Sequence, residues 1–137
     1  MKKSLILLLS VFIFSSCEKD AGEELKLQDG TYSGKFILKN IDPAANTTDI
    51  VVATSITITG DNYTSTSGPN RTPAGGSGKF SVKSPIINFA DKNVWTADFD
   101  WNLILSGDYT SEINGDSLFL SKKAGLKIYN YRLGRAK

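Results

Sequence analysis

Ile50-Val51-Val52-Ala53-Thr54-Ser55-Ile56-Thr57-Ile58-Thr59 decides the fold class. Ile50, Val52, Thr54, Ile56 and Ile58 fall in one phase, and Val51, Ala53, Ser55, Thr57 and Thr59 in the other. A period of two is the repeat of a pleated strand, in which successive side chains leave opposite faces. β-branched residues fill the run, as a half-buried pleated surface favours. The same period appears on either side. Tyr32, Gly34, Phe36 and Leu38 alternate with Ser33, Lys35, Ile37 and Lys39. Phe80 and Val82 alternate with Ser81 and Lys83, and Tyr129, Tyr131 and Leu133 with Asn130 and Arg132. No stretch between Cys17 and Lys137 carries a sustained helical stripe.

Turn signals divide these runs. Gly60-Asp61-Asn62 follows the second, and Ala124-Gly125 precedes the last. Ser67 to Gly78 is too rich in Gly, Pro, Ser and Asn to form a strand. Asn114-Gly115 is a strong hairpin signal, because both residues tolerate the positive φ of a type I′ turn. Leu105, Gly107, Tyr109, Ser111 and Ile113 keep one phase straight through Gly107. They read as one long strand bent at the glycine. The strands expected are therefore about 30–39, 49–59, 62–66, 78–83, 86–90, 102–113, 116–122 and 126–134. Eight strands with short connections predict an all-β fold: an antiparallel up-and-down barrel, whose closure removes exposed edges. An open β-sandwich fits the same pattern.

The N-terminus carries an address. Lys2 and Lys3 form a positive n-region, Leu5 to Phe14 an apolar h-region, and Ser15 and Ser16 the small residues before a cleavage point. The run is shorter than the roughly 20 apolar residues a spanning helix needs. Phe14-Ser15-Ser16-Cys17 resembles the lipobox of bacterial lipoproteins, and Cys17 is the chain's single cysteine. The resemblance implies cleavage before Cys17, a diacylglyceryl group on its thiol and an acyl chain such as palmitate on the new amine. Each buried CH₂ of such chains contributes about 0.8 kcal/mol. The division expected is residues 1–16 as signal peptide, 17–28 as lipidated cysteine and flexible tether, and 29–137 as one barrel domain. Glu18-Lys19-Asp20 resembles the acidic tract that sends some Bacteroidetes lipoproteins to the outer face of the outer membrane. A solvated linker explains it equally well.

Removing Lys2 and Lys3 leaves 14 of the 16 basic side chains against 14 acidic ones, a net charge of zero. No basic excess remains to bind nucleic acid. The chain has no histidine, and lipidation would consume its one thiol. Serine–histidine and cysteine–histidine catalysis are excluded, as is the usual zinc site. Gly75-Gly76-Ser77-Gly78 lacks the lysine and helix of a phosphate-binding loop and reads as a flexible loop. Asp98 and Asp100 would share one face of a strand about 7 Å apart, a separation glycosidases use. Asp91, Asp98, Asp100 and Asp108 offer oxygens to calcium without an EF-hand spacing. Solvated carboxylates account for all of these. Neither an enzyme nor a cofactor or metal is expected.

The succession Gly30-Thr31-Tyr32-Ser33-Gly34, Gly78-Lys79-Phe80, Ile87-Asn88-Phe89, Leu105-Ser106-Gly107-Asp108-Tyr109, Gly115-Asp116-Ser117-Leu118 and Tyr129-Asn130-Tyr131 is similar to the small lipocalin-like lipoproteins of Bacteroidetes. The resemblance implies an eight-stranded calycin-type barrel and no assigned activity. Asp116-Ser117-Leu118 also resembles the short O-glycosylation acceptor of that phylum.

Both tryptophans fall between Asp91 and Trp101, where Trp95, Phe99 and Trp101 crowd one connection. Such a connection is either an aromatic plug closing the barrel or a rim gripping a ligand. Two functions follow. One is a lipoprotein anchored to the outer membrane through Cys17, with Trp95, Phe99, Trp101, Tyr32 and Tyr109 holding a small apolar or glycan ligand. The other is an interaction or inhibitor module whose barrel is fully packed and whose loops, such as Ser67–Ser77, dock an envelope protein.

Overall fold

The computed structural model describes residues 26–137 except Ala97. The signal peptide 1–16, Cys17 and tether residues 18–25 lie outside the described residues. Eight strands form the body: β1 (Gly30–Asn40), β2 (Ile50–Thr59), β3 (Asn62–Ser65), β4 (Gly76–Lys83), β5 (Ile86–Asp91), β6 (Gly107–Asn114), β7 (Ser117–Ala124) and β8 (Lys127–Arg135). Each pairs antiparallel with its neighbour in sequence, and β1 also pairs with β8, so the sheet closes as an up-and-down barrel. The Phe36↔Tyr131 and Gly34↔Leu133 pairs of the β1–β8 seam exclude the open sandwich.

The alternation seen in the sequence becomes the inside and outside of the barrel. Tyr32 and Phe36 of β1, Ile56 and Ile58 of β2, Ile87 and Phe89 of β5, Leu118 and Leu120 of β7, and Tyr129, Tyr131 and Leu133 of β8 are all buried. Each such side chain taken out of water contributes about 1.5–3 kcal/mol. An aromatic chain crosses the interior from Tyr63 through Phe89, Tyr109 and Tyr131 to Phe36. Its successive ring centroids lie 4.8, 5.8, 6.0 and 5.0 Å apart. The middle of the barrel is thus filled by rings at ordinary edge-to-face spacing.

Strand direction sorts the connections into two ends. Tight turns at Gly60-Asp61, Ser84-Pro85 and Gly115-Asp116 share one end with both termini of the described chain. The long connections 41–49, 66–75 and 92–106 share the other end with the Gly125-Leu126 turn.

Five expectations change. The strand expected over 102–113 is two things: a single 3₁₀ turn, Trp101–Leu103, and a strand that starts only at Gly107, where φ is 83°. Phase continuity through Gly107 concealed that break. Gly76, Ser77 and Gly78 are not loop but the start of β4, since Ser65↔Gly76 and Tyr63↔Gly78 pair despite the poor strand propensity. The hairpin after β6 turns on Gly115-Asp116, with φ of 56° at Gly115 and no positive φ at Asn114. That is the φ pattern of a type II′ turn rather than type I′. The tether does not extend to residue 28. Leu27 is 1% exposed within the core, and the Gln28 carbonyl accepts the Tyr32 hydroxyl at 3.0 Å. Finally, Asp98 and Asp100 lie on no strand and do not share a face.

Candidate ligand-binding site

The 92–106 connection folds back over its end of the barrel and is fastened on three sides. Asp91, at the end of β5, is the first fastening. Its Oδ1 accepts Ser77 N at 2.8 Å and Asn93 Nδ2 at 3.0 Å, and its Oδ2 accepts the Trp95 indole N–H at 2.5 Å. Asp100 is the second. Its Oδ1 caps the 3₁₀ turn through Asn102 N at 3.0 Å, and its Oδ2 accepts the Tyr129 hydroxyl at 2.7 Å and Lys127 Nζ at 3.2 Å. Burial alone would raise the Asp100 carboxyl. The hydrogen bonds from Tyr129, Asn102 and Lys127 outweigh it and hold the group below its ordinary 3.8. The third fastening is the neighbouring 66–75 connection. Ala74 N donates to Leu103 O at 2.9 Å and Leu105 N to Gly75 O at 2.8 Å, a short parallel bridge. Arg71 adds a guanidinium stacked 5.4 Å from the Phe99 centroid and a bond to Thr96 Oγ1 at 3.2 Å.

Between this strap and the barrel mouth lies a pocket of about 330 Å³, lined by Trp95, Trp101, Asn93, Asn102 and Lys122 among others. Larger grooves, one of about 600 Å³ lined by Thr110, Glu112, Phe119 and Arg132, run along the outer wall. Those residues belong to the outward phase of β6–β8. The strap pocket differs because side chains of the inward phase open into it.

Lys122 is the clearest of these. It continues the Leu118–Leu120 phase of β7 and therefore points into the mouth. Its Nζ lies 4.9 Å from the Tyr109 ring centroid and 5.8 Å from that of Tyr129, and donates to Ser106 O at 3.1 Å. Burial pulls its ammonium below the ordinary lysine value, against an opposing pull from the Asp100 carboxylate. Trp101 stands at the rim, 54% exposed. Trp95 is half-buried, packed on Phe99 with centroids 5.7 Å apart. The connection is thus both plug and rim: Trp95 and Phe99 close the core, and Trp101 faces outward.

The expected aromatic set is divided by the fold. Trp95 and Trp101 line the pocket together, and Phe99 supports Trp95 from behind. Tyr109 lies beneath the pocket, fully buried, under the Lys122 ammonium. Tyr32 belongs to the opposite end, where the Arg135 guanidinium joins Asp116, Gln28 and the Asp29 carbonyl. It cannot contact a ligand held by the tryptophans. Asp98 is engaged locally by the Thr96 hydroxyl at 2.8 Å, which lowers its carboxyl. Cys17 lies outside the described residues. Among the described residues no group of three or more His, Cys, Asp or Glu side chains is placed to hold a metal ion.

Lys122, Asn93 and Asn102 are additional to the set marked in the sequence. Lys122 had a legible signal, since counting two residues on from Leu118 and Leu120 reaches it. The asparagines had none, because their positions follow from the path of the strap. Comparison of the chain with protein-family models, with curated proteins and with solved structures gives no match.

Proposed function

We propose that this protein is a lipid-anchored, non-catalytic binding protein of the bacterial envelope that takes a small glycan at the loop end of its barrel. The observation that carries the reading is the pocket: an indole face at the rim beside amide groups and an inward-facing ammonium. Pyranose rings stack on indole through their C–H faces, while amides and charges bond the hydroxyls. Of the two ligand classes the sequence leaves open, the glycan is favoured. An apolar chain would need the barrel interior, and the rings from Tyr63 to Phe36 already occupy it.

The anchor supports the same arrangement. The lipobox-like Phe14–Cys17 and the resemblance to lipocalin-like lipoproteins support acyl chains on Cys17. From there the chain reaches Leu27, which enters the core at the end opposite the pocket. Ten residues extend to at most about 35 Å. A protein anchored in this way presents its pocket away from the membrane, toward diffusing ligands.

Both tryptophans of the chain line the pocket, so their fluorescence reports on it directly. An oligosaccharide panel is expected to shift the emission and a fatty acid to leave it unchanged. The reverse result, or no response to any saccharide, refutes the reading. Cys17→Ala is expected to release the protein from membranes, and unchanged retention refutes the anchor.

One observation favours a second reading, the docking module. Ile50, Val51, Val94, Trp101 and Leu126 are exposed large apolar residues, and all sit at the loop end. A stoichiometric envelope protein that copurifies with the parent and is lost on Val94→Asp would favour docking over glycan binding.

A further inference from the structure

We propose that the ligand of the strap pocket is a monoanionic saccharide bearing a carboxylate, as a hexuronic acid does, and that Lys122 Nζ binds that carboxylate. The inference rests on the glycan reading and specifies its chemical class.

Lys122 is a half-buried cation whose partners are incomplete. Its ammonium has three N–H donors. One goes to Ser106 O at 3.1 Å. The Tyr109 and Tyr129 rings offer their faces at 4.9 and 5.8 Å. Among the described residues no carboxylate lies within 4 Å of Nζ, although four other basic side chains there have one. A charge withdrawn from water without an opposite partner is costly, and an arriving anion removes that cost.

The two carboxylates nearest the pocket are committed elsewhere. Both oxygens of Asp91 accept from Ser77, Asn93 and Trp95, and both oxygens of Asp100 from Asn102, Tyr129 and Lys127. They hold the strap in place and leave the Lys122 charge unneutralised. Their own charges also set a limit. Each negative charge on a ligand is repelled by both, so a single carboxylate is tolerated better than a dianion such as a phosphate monoester. Stacking and hydrogen bonding are supplied alongside. Trp101 shows its indole at the rim, and the Asn102 side-chain carbonyl accepts from none of the described residues. The pocket's roughly 330 Å³ suits one or two sugar rings.

The test is a tryptophan-fluorescence titration of the detergent-solubilised full chain with the methyl glycoside of galacturonic acid, which carries one carboxylate, and with its methyl ester. The two share shape and stacking surface, and only the acid is charged. The parent protein is expected to bind the acid about tenfold or more tightly than the ester, as a charge-assisted hydrogen bond in a partly dry site implies. Lys122→Met keeps the aliphatic stem and removes the charge. It is expected to bring the two affinities together, with the acid losing about tenfold more than the ester. Equal binding of acid and ester by the parent, or a preference that survives Lys122→Met, overturns the proposal and leaves the glycan reading standing. If neither sugar shifts the emission the proposal falls, and the glycan reading falls with it when the oligosaccharide panel is silent too. If Lys122→Met does not fold, Lys122→Gln is read in the same way.

Discussion

Tyr131 and Tyr63 offer two chemically identical substitutions with opposite expected signs. Both rings belong to the aromatic chain through the barrel, and both hydroxyls are buried. The Tyr63 hydroxyl donates to Leu105 O at 2.5 Å, fastening the strap to β3. The Tyr131 hydroxyl has no partner among the described residues, and the residue is 1% exposed. Replacing Tyr131 by Phe keeps the ring packing at 5.0 Å to Phe36 and 6.0 Å to Tyr109 and removes only the orphaned group. Burying a hydroxyl without a bond costs about 1–3 kcal/mol. Against this stands the dispersion attraction of a single oxygen atom, about 0.1–0.2 kcal/mol for each atom it touches. The net expectation is a gain of about 1 kcal/mol, which in a domain of this size raises Tm by about 4 °C. Tyr63→Phe loses a made bond and strands the Leu105 carbonyl, so a loss of about 2 kcal/mol is expected. Urea unfolding followed by tryptophan fluorescence measures both, with the midpoint moving at constant m. A Tyr131→Phe protein less stable than its parent refutes the reasoning, because the hydroxyl must then have a partner.

Three further outcomes are expected. Leu27→Ala should cost about 2–5 kcal/mol by urea unfolding, since it opens a cavity at the turn end; a change under about 0.5 kcal/mol, the scale of an ordinary surface substitution, would return Leu27 to the tether. Gly34→Ala should cost several kcal/mol, because its Cβ would lie 2.1 Å from the Arg132 carbonyl oxygen, and only a shift of the β8 backbone could relieve it. Loss of amide protection confined to the β1–β8 seam would be its signature in hydrogen exchange. Asp100 is held below 3.8 in the folded state, so its contribution is present above that value and lost as pH falls through the depressed one. The midpoint for loss of the Asp100 fastening should therefore lie below 3.8, and Asp100→Asn should remove that component of the strap-fluorescence transition without removing the fold.

How far the sequence could be read depended on whether a feature was local. Period-two alternation in Ile50–Thr59 and Tyr129–Leu133 is a property of a single strand, and both segments formed with the register that pattern requires. Where two local signals competed, reading failed. At Gly107 the phase continued while the backbone broke, and at Gly76–Gly78 loop-like composition gave way to pairing with β3. The candidate site was half legible. Trp95 and Trp101 cluster in sequence and remained together, whereas Tyr32 shares their chemistry but stands at the other end. Lys122 follows Leu118 and Leu120 in phase, but only the observed length of β7 places it at the mouth.

The sequence by itself determined most of the strands, most of their boundaries and which residues face inward, because each of these depends on neighbours a few positions away. Only the tertiary structure decided that the sheet closes, that rings fill its interior, that Leu27 belongs to the core, and that Lys122 and Trp101 line one pocket. Those outcomes depend on closing β1 against β8 and on the path of the 92–106 connection. An alternating pattern serves an open sheet and a closed one equally, so the pairing of distant segments had to choose between them.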